Sequence, residues 1–298
     1  MKNKGKILIF LFIIFLLCLY LSLFENYQSE IIYKYIRIPN TIKSIIAGST
    51  LALSGMFLQA ISKNPLAEPY LTGISSGAAL GIVISILFFD GNFSFFGFLG
   101  AIIAALCVIL FCGLSKFSVK KLILTGLSFN IFASSIIGFL ILLYADKTYS
   151  LTMILTGGFS NIDISNQALL LILIAGILIS SLFVPRLNYL RLDLGTEKNS
   201  YIIAVVVLCA LLTSFSVYAL GIIGFVGIIA PHISRIIFGN DYRYLYFSNI
   251  LIGSSFLLFA NYLSRTVLYP QQVPIGIITA LIGVPIFIFF LIRKEAND

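Results

Sequence analysis

The chain has 298 residues, of which 60% are hydrophobic and 10% are charged, and its mean hydropathy is +1.08. A soluble domain carries about 45–50% apolar and about 25% charged residues, so a soluble core cannot hide this much apolar surface. The net charge of +8 comes from Lys and Arg scattered between apolar runs, which is typical of loop anchors in a membrane protein and argues against a nucleic-acid partner. The composition predicts an all-α, polytopic membrane protein with one transmembrane domain over residues 1–298.

Apolar segments long enough to cross a bilayer recur along the whole sequence. A bilayer core of about 30 Å needs about 20 apolar residues in a helix. The seventh and eighth segments are nearly continuous, so nine spans is the alternative to ten. The first segment follows three lysines, but no small-residue cleavage site follows Phe24, so we expect an uncleaved signal anchor. The predicted spans lie near residues 7–24, 41–60, 70–89, 95–114, 122–144, 166–184, 200–220, 222–238, 247–268 and 275–292.

The distribution of basic residues gives this arrangement an orientation. With the amino terminus in the cytoplasm, ten spans place fourteen of the 19 Lys and Arg inside, whereas five of the 11 acidic residues lie outside. A basic bias without an acidic bias is typical of membrane insertion, so both termini are predicted to be cytoplasmic. Spans 2–5 and 7–10 then enter from opposite sides, which predicts an inverted repeat.

The first break in the apolar pattern follows the second span. Gly55 and Gln59 lie in that span, and the segment from Asn64 through Pro65 to Pro69 comes after it. Two prolines cannot continue one helix, and broken backbone at membrane depth is tolerated only where it is buried in protein or faces water. We expect this segment to fold against the helix bundle at the cytoplasmic end of the second span.

Small residues recur at helical spacing immediately afterwards. Gly73, Gly77 and Gly81 are four residues apart, which places them on one face of a helix. Small residues at this spacing let helix backbones approach closely. We therefore favour tight packing over a ligand site for this face.

The eighth span contains a second break. Gly221, Gly224, Gly227 and Pro231 lie within eleven residues, which predicts a kinked or interrupted helix. Such a helix can line a transport path or can serve packing alone, and the pattern does not separate the two. His232 and Arg235 follow towards the cytoplasmic end, where Arg235 can reach the headgroups and a lone histidine favours a packed side chain over a proton relay.

The ionisable residues bear on the energy source. No Asp or Glu lies in the middle of a predicted span, which argues against an ion-coupled carrier, and no convergent polar cluster suggests an intramembrane enzyme. The sequence also lacks the G-x-x-x-x-G-K-[ST] phosphate loop. A passive channel and a transporter powered by a partner both remain open. The four cysteines lie in apolar stretches without a C-x-x-C pair, so no metal site is predicted.

The motifs together resemble the FecCD-type permeases, the membrane subunits of bacterial ABC importers for iron-siderophores, haem and cobalamin. The resemblance lies in LALSG…Q…NPLAEP…G.SSGAALG from Leu51 and in GFVG…PH..R…G.D.R from Gly224. A weaker fifth-span motif ends at Gly126-Leu127-Ser128-Phe129-Asn130, and a carboxy-terminal motif begins at Val273. The match is colinear from about residue 37 to 293.

The resemblance implies a non-catalytic permease in the bacterial cytoplasmic membrane that binds no cofactor of its own. The expected partners are a second copy or a paralogue, two cytoplasmic ATPase subunits that hold ATP–Mg, and an extracytoplasmic binding protein. The path would run between the two fifth spans, and the cargo would be an iron(III)-siderophore or haem rather than cobalamin. The motif residues assigned to structure or gating are Gly55, Gln59, Asn64, Pro65, Gly73, Gly77, Gly126, Asn130, Gly224, Gly227, Pro231, His232 and Arg235.

The resemblance also assigns two contact surfaces. Arg37 and Arg265 match outward-facing arginines that meet acidic residues of the binding protein, and interfacial anchoring is the alternative role. Asn40 stands where the family often has another arginine. Leu194 and Gly195 match only the first half of the family's ATPase-coupling loop, so coupling is expected to use a shorter surface that includes Asn240, Asp241 and Arg243, or to be impaired.

Overall fold

Helices make up most of the protein in the computed structural model, which describes residues 4–24, 30–70, 72–89, 93–113, 119–157, 166–191 and 199–295. A helix satisfies its backbone hydrogen bonds within one segment, which is what an apolar chain in lipid requires. The first helices are α1 (Lys4–Phe24), α2 (Glu30–Ile32), a π-helical turn (Tyr33–Arg37), α3 (Ile38–Ser62), α4 (Ile74–Phe88), α5 (Phe93–Gly113) and α6 (Val119–Leu143). A 3₁₀ turn (Ala145–Lys147) leads to α7 (Thr148–Leu155), α8 (Asn166–Ser181), α9 (Val184–Arg191), α10 (Asn199–Leu220), α11 (Val226–Phe238), α12 (Tyr242–Thr266) and α13 (Ile275–Glu295).

Six helices in the described part of the chain are long and apolar enough to cross a membrane: Lys4–Phe24, Glu30–Ser62, Phe95–Gly113, Lys121–Leu143, Ser200–Leu220 and Tyr242–Thr266. Three further apolar helices, α4, α11 and most of α13, are shorter. Each predicted span overlaps a helix, and residues 221–225 separate the seventh helical segment from the eighth, while the ten-span topology stays a prediction. The sequence did not predict α7 or α9 as separate helices.

Helix α3 lies at the centre of the bundle. Most of its side chains from Thr41 to Ile61 are buried, and it packs against α10, α11 and α12. Small residues allow the closest approach: a Cβ atom on Gly48 would lie 2.3 Å from the carbonyl oxygen of Gly253 in α12. Helix α1 packs on α12 at the edge and exposes Ile9, Phe10 and Ile13, as a lipid-facing helix does.

Two short helices, α4 and α11, each begin after a non-helical connection. Helix α4 follows α3, and Gly73 precedes it with φ +79°. Helix α11 follows α10, and Phe225 precedes it with φ +70°. A left-handed residue turns the chain sharply at the start of each helix. Two short connections, one between α3 and α4 and the other over residues 221–225, therefore each end in a left-handed residue, and we call them the first and the second break.

Candidate functional site

The two motif regions meet where the connection after α3 packs against the beginning of α11. A Cβ atom built on Gly227 would lie 3.3 Å from the Pro69 side chain and 3.6 Å from the Cβ atom of Glu68. A Cβ atom on Gly55 would lie only 1.9 Å from the carbonyl oxygen of Gly227. Glycine at position 55 is therefore needed for α3 and α11 to touch through their backbones.

Pro231 creates a hydrogen-bonding gap inside α11, and Gln59 fills it. Proline has no N–H, so the carbonyl of Gly227, four residues earlier, loses its normal helical donor. The buried Gln59 side chain supplies that donor, with Nε2 donating to the Gly227 oxygen at 3.0 Å. Its Oε1 accepts a hydrogen bond from Nη2 of Arg235, two turns further along α11. One amide from α3 thus supplies the donor that Pro231 lacks and also binds the Arg235 side chain of the same helix.

The Asn64–Pro69 segment forms a compact turn. Lys63 ends α3 with φ +51°, and the Asn64 side chain accepts a hydrogen bond from the Leu66 N–H at 2.9 Å. The Ala67 N–H donates to the Asn64 carbonyl at 3.2 Å. Pro65 is exposed, whereas Ala67, Glu68 and Pro69 are buried against the bundle.

Helix α6 supports the start of α4. A Cβ atom on Gly126 would lie 2.6 Å from the Thr72 backbone, and one on Gly73 would lie 2.9 Å from the Gly126 oxygen. The buried Asn130 donates from Nδ2 to the Tyr70 carbonyl at 3.5 Å and accepts from Ser134 Oγ at 3.3 Å. The fifth-span motif therefore holds the break after α3 in place.

The glycine face of α4 differs from the sequence prediction at one position. Gly77 and Gly81 lie within the helix, where Cβ atoms would come within 2.7 Å of the Gly100 oxygen and 2.2 Å of the Phe96 oxygen in α5. Gly73 lies before the helix and adopts a left-handed conformation, so α4 begins at Ile74 and not at residue 70. Gly73 is needed for the turn, and the other two glycines are needed for packing.

Glu68 is a buried acidic residue that the sequence motifs did not single out. It lies in the connection between α3 and α4, its side chain is 9% exposed, and its carboxyl accepts a hydrogen bond from the Phe225 N–H at the start of α11. Burial raises the pKa of Glu68 to about 7, although the Phe225 hydrogen bond acts in the opposite direction. The available signal was an acid between two prolines, in a segment flanked by apolar spans.

A cavity of about 500 Å³ opens beside these breaks. Glu68 and Tyr70 line it from the first break, Gly224 and Phe225 from the second, and Leu281 from α13. Thr156, which follows α7, and Ile277 also line it. Most of its surface is apolar, and Glu68 is the acidic side chain among the described residues that line it. A Cβ atom on Gly224 would meet no atom within 4 Å, so Gly224 faces open space here.

His232, Asn240, Asp241 and Arg243 are not among the described residues that line this cavity. The His232 ring packs 4.8 Å from the Phe290 ring of α13. Asp241 caps α12 by accepting from the Arg243 N–H at 3.2 Å, and Asn240 and Arg243 are exposed. The Tyr242 N–H donates to Asn188 Oδ1 at 3.1 Å, which ties this end of α12 to α9. Leu194 and Gly195 lie outside the described residues.

A second, more polar cavity of about 320 Å³ lies between α3, α9 and the start of α12. Lys63 and Arg235 contribute its basic groups, and Asn240 and Tyr242 also line it. The two cavities therefore differ in the sign of the charge on their walls.

Arg37 and Arg265, the predicted docking residues, both bind the carboxy-terminal end of α1. Arg37 is 7% exposed and donates from Nη1 to the Leu23 carbonyl at 3.2 Å. Arg265 donates from Nη2 to the Ser22 carbonyl at 2.8 Å. Cations at a helix carboxy terminus satisfy free carbonyls and favour the helix dipole. In the single subunit these arginines attach α1 to α3 and α12, and Arg37 is not presented on the surface.

No group of three or more His, Cys, Asp or Glu side chains that could hold a metal ion occurs among the described residues. The buried polar groups of the site are instead satisfied by the backbone and by one another. Among the described residues, the cavity therefore offers a mainly apolar wall in which Glu68 is the acidic group.

Comparison with known proteins agrees with these motifs. The model of the FecCD transport family matches residues 7–293. A probable iron chelatin transport system permease of Helicobacter pylori (strain ATCC 700392 / 26695) is 33% identical, and the alignment covers 89% of this chain and 84% of the relative. The Fe(3+)-citrate import system permease of Bacillus subtilis (strain 168) is 31% identical over 93% of this chain and 86% of its own length.

A solved structure shares the fold over nearly the whole chain. It is described as a metal-chelate type ABC transporter in an inward-facing conformation, and it superposes with a TM-score of 0.86 at 27% identity, covering 97% of this chain and 99% of that one. Members of this family are non-catalytic permease subunits of the cytoplasmic membrane. The chain belongs to the FecCD transport family.

Proposed function

We propose that this chain is the membrane-spanning subunit of a binding-protein-dependent ABC importer that carries an iron(III)-siderophore, haem or a related metal chelate. The observation that carries the proposal is the meeting of both family motifs at a largely apolar cavity of about 500 Å³. A bulky chelate can slide past such a wall without specific ligands, because the binding protein selects it. Iron chelatin and Fe(3+)-citrate in the names of two relatives support a chelate as cargo.

Energy would come from two cytoplasmic ATPase subunits that bind ATP–Mg. The sequence has no phosphate loop of its own, and the family consists of ABC permeases. Closure of the ATPase pair would switch the permease between outward-facing and inward-facing states. The exposed Asn240 and Arg243, at the start of α12 beside α9, are proposed as the surface that receives this motion, together with Leu194 and Gly195 of the matching loop sequence.

The proposed topology has ten spans, cytoplasmic termini and an inverted repeat. Helix packing supports the repeat, because equivalent helices pair equivalently in the two halves. Helix α3 packs on α12 as α10 packs on α5, and α4 packs on α5 as α11 packs on α12. The left-handed residues before α4 and α11 occupy matching positions as well.

A second copy would complete the path. The outer face of α6 exposes Ile131 and Phe132 together with Ser128 and Ser135, and α13 exposes Leu281 next to the cavity mouth. We propose that α6 of each copy lines a shared path. Arg265 is proposed to contact the binding protein in addition to its bond to α1, whereas the buried Arg37 would first have to leave the Leu23 carbonyl in order to dock.

Uptake into proteoliposomes tests the proposal. The complete complex would be reconstituted with its ATPase and binding protein, and labelled ferric siderophore, ferric citrate, haem and cobalamin would be supplied one at a time. We expect ATP-dependent uptake of at least one iron chelate and none with a hydrolysis-deficient ATPase. Absence of uptake for every chelate would refute the substrate class.

Buried Glu68 favours an ion-coupled carrier as the second candidate, because buried ionisable groups often serve proton relays. A proton gradient imposed without ATP separates the two. Uptake driven by the gradient alone would support the ion-coupled carrier and reject the ABC importer.

A further inference from the structure

Glu68 occupies an unusual position for a carboxylate. It is buried, yet it lines the 500 Å³ cavity and accepts a hydrogen bond from the N–H of Phe225, the residue immediately before α11. The positive end of the helix dipole favours the ionised form at this place. A carboxylate has about four acceptor sites, so one bond to Phe225 leaves capacity for a group inside the cavity.

The apolar residues around Glu68 strengthen the electrostatic interactions of its carboxylate. Ile222, Phe225, Ile277 and Leu281 line the cavity with apolar surface, while Tyr70 and Thr156 add neutral polar groups. Charge interactions weaken in water and strengthen next to apolar walls of low dielectric. No Lys or Arg occurs among the described residues that line this cavity, whereas Lys63 and Arg235 line the second one.

We infer that this cavity is where the subunit touches its cargo, and that the Glu68 carboxylate favours chelates with positive charge or exposed hydrogen-bond donors over anionic chelates of similar size. This inference rests on the proposed import of metal chelates. It makes Glu68 a specificity-determining residue of the path, separate from any selection by the binding protein.

The test compares uptake of three ferric chelates of similar size: a trihydroxamate with a free amine, a neutral trihydroxamate and an anionic carboxylate chelate. Glu68→Gln removes the charge but keeps an amide oxygen that can accept from Phe225. At pH 8 we expect the cationic-to-anionic uptake ratio to fall about tenfold in this variant. Both proteins use the same binding protein, so its own preference cancels when the two ratios are compared.

Glu30→Gln provides the matched control, because Glu30 is an exposed acid at the start of α2. It should leave the ratio unchanged. Leu281→Lys adds a basic group to the same cavity at an exposed position and should shift the ratio towards the anionic chelate, even if Glu68→Gln fails to fold.

The possible results separate the inference from the proposed function. Equal loss of all three chelates in Glu68→Gln, with no shift in Leu281→Lys, would reduce Glu68 to a cap of α11 and overturn the inference alone. An unchanged ratio in both variants would overturn it too. Failure of the wild-type complex to import any chelate with ATP would overturn the proposed function and this inference with it.

Discussion

Single backbone contacts decide how α3 and α11 fit together. Gly55 lies so close to the Gly227 backbone that a methyl group added at position 55 has no room. The neighbouring atoms are backbone and cannot rotate away, unlike the end of a flexible side chain. A larger residue at position 55 therefore requires one helix to shift, and this shift lowers the free energy of unfolding.

We predict that Gly55→Ala lowers the melting temperature of the purified subunit and its ATP-dependent uptake at least severalfold, because the new Cβ would lie 1.9 Å from the Gly227 oxygen. Gly138→Ala in α6 is the matched control, since a Cβ there meets no atom within 4 Å. Thermal unfolding in detergent measures the difference. Equal stability of the two variants would show that α3 and α11 are not packed this way.

Glu68 gives the subunit a pH-dependent stability. Because the pKa in the fold is about 7, above the ordinary value of 4.5, its contribution is complete below about pH 4.5 and is lost as the pH rises through 7. We predict that Glu68→Gln and wild type melt alike at pH 5, and that Glu68→Gln is the more stable at pH 8, by at most about 3 kcal/mol. A constant difference at all pH values would contradict the burial of an ionisable group here.

At the scale of elements, α11 depends on another helix for its integrity. Pro231 leaves the Gly227 carbonyl without a helical donor, and Gln59 of α3 provides one. Arg235 completes the bridge. A residue in one motif thus compensates for a residue in the other, although the two are far apart in sequence.

This dependence predicts a rescue. Gln59→Leu should destabilise the subunit by about 1–3 kcal/mol, since it leaves a buried carbonyl unsatisfied. Pro231→Ala restores an N–H to α11, so the double variant should recover part of that loss. Thermal unfolding of the single and double variants measures the coupling, and strict additivity of their effects would argue against the compensation.

Helix α1 is held at its end by Arg37 and Arg265, and this predicts a second effect. Arg265→Ala should loosen α1 from α12 and speed proteolysis near residue 24, because the bond to the Ser22 carbonyl is lost. Arg243→Ala, at an exposed arginine, is the control. Affinity for the binding protein is measured in parallel: a loss of affinity without faster proteolysis would assign Arg265 to docking alone.

The sequence predicted the positions of the helices better than the structure of the connections between them. Long apolar segments define helices through composition, so the positions of α3, α10 and α12 followed directly. The left-handed start of α4 at Gly73 and the burial of Glu68 depend on contacts with α6 and α11, which local patterns do not contain. The motifs identified Gln59 and Pro231 but not the hydrogen bond that connects their roles.

At the scale of the whole molecule, the charge bias makes a topology prediction that labelling can check. In a background without the four native cysteines, Tyr149→Cys before α8 should react with a membrane-impermeant thiol reagent in intact cells or spheroplasts. Tyr189→Cys in α9 should react only after the membrane is opened. Both tyrosines are exposed, so access depends on the side of the membrane. The reverse pattern would invert the proposed orientation.

The connections before α4 and before α11 differ in their backbone strain. Gly73 adopts a positive φ without strain. The same left-handed region costs about 1–2 kcal/mol for Phe225, whose side chain packs against Gly283 of α13. The connection before α4 is therefore unstrained at Gly73, whereas the connection before α11 is strained at Phe225. A rearrangement of the membrane domain that returns Phe225 to a negative φ would release this strain, whereas no such release is available at Gly73.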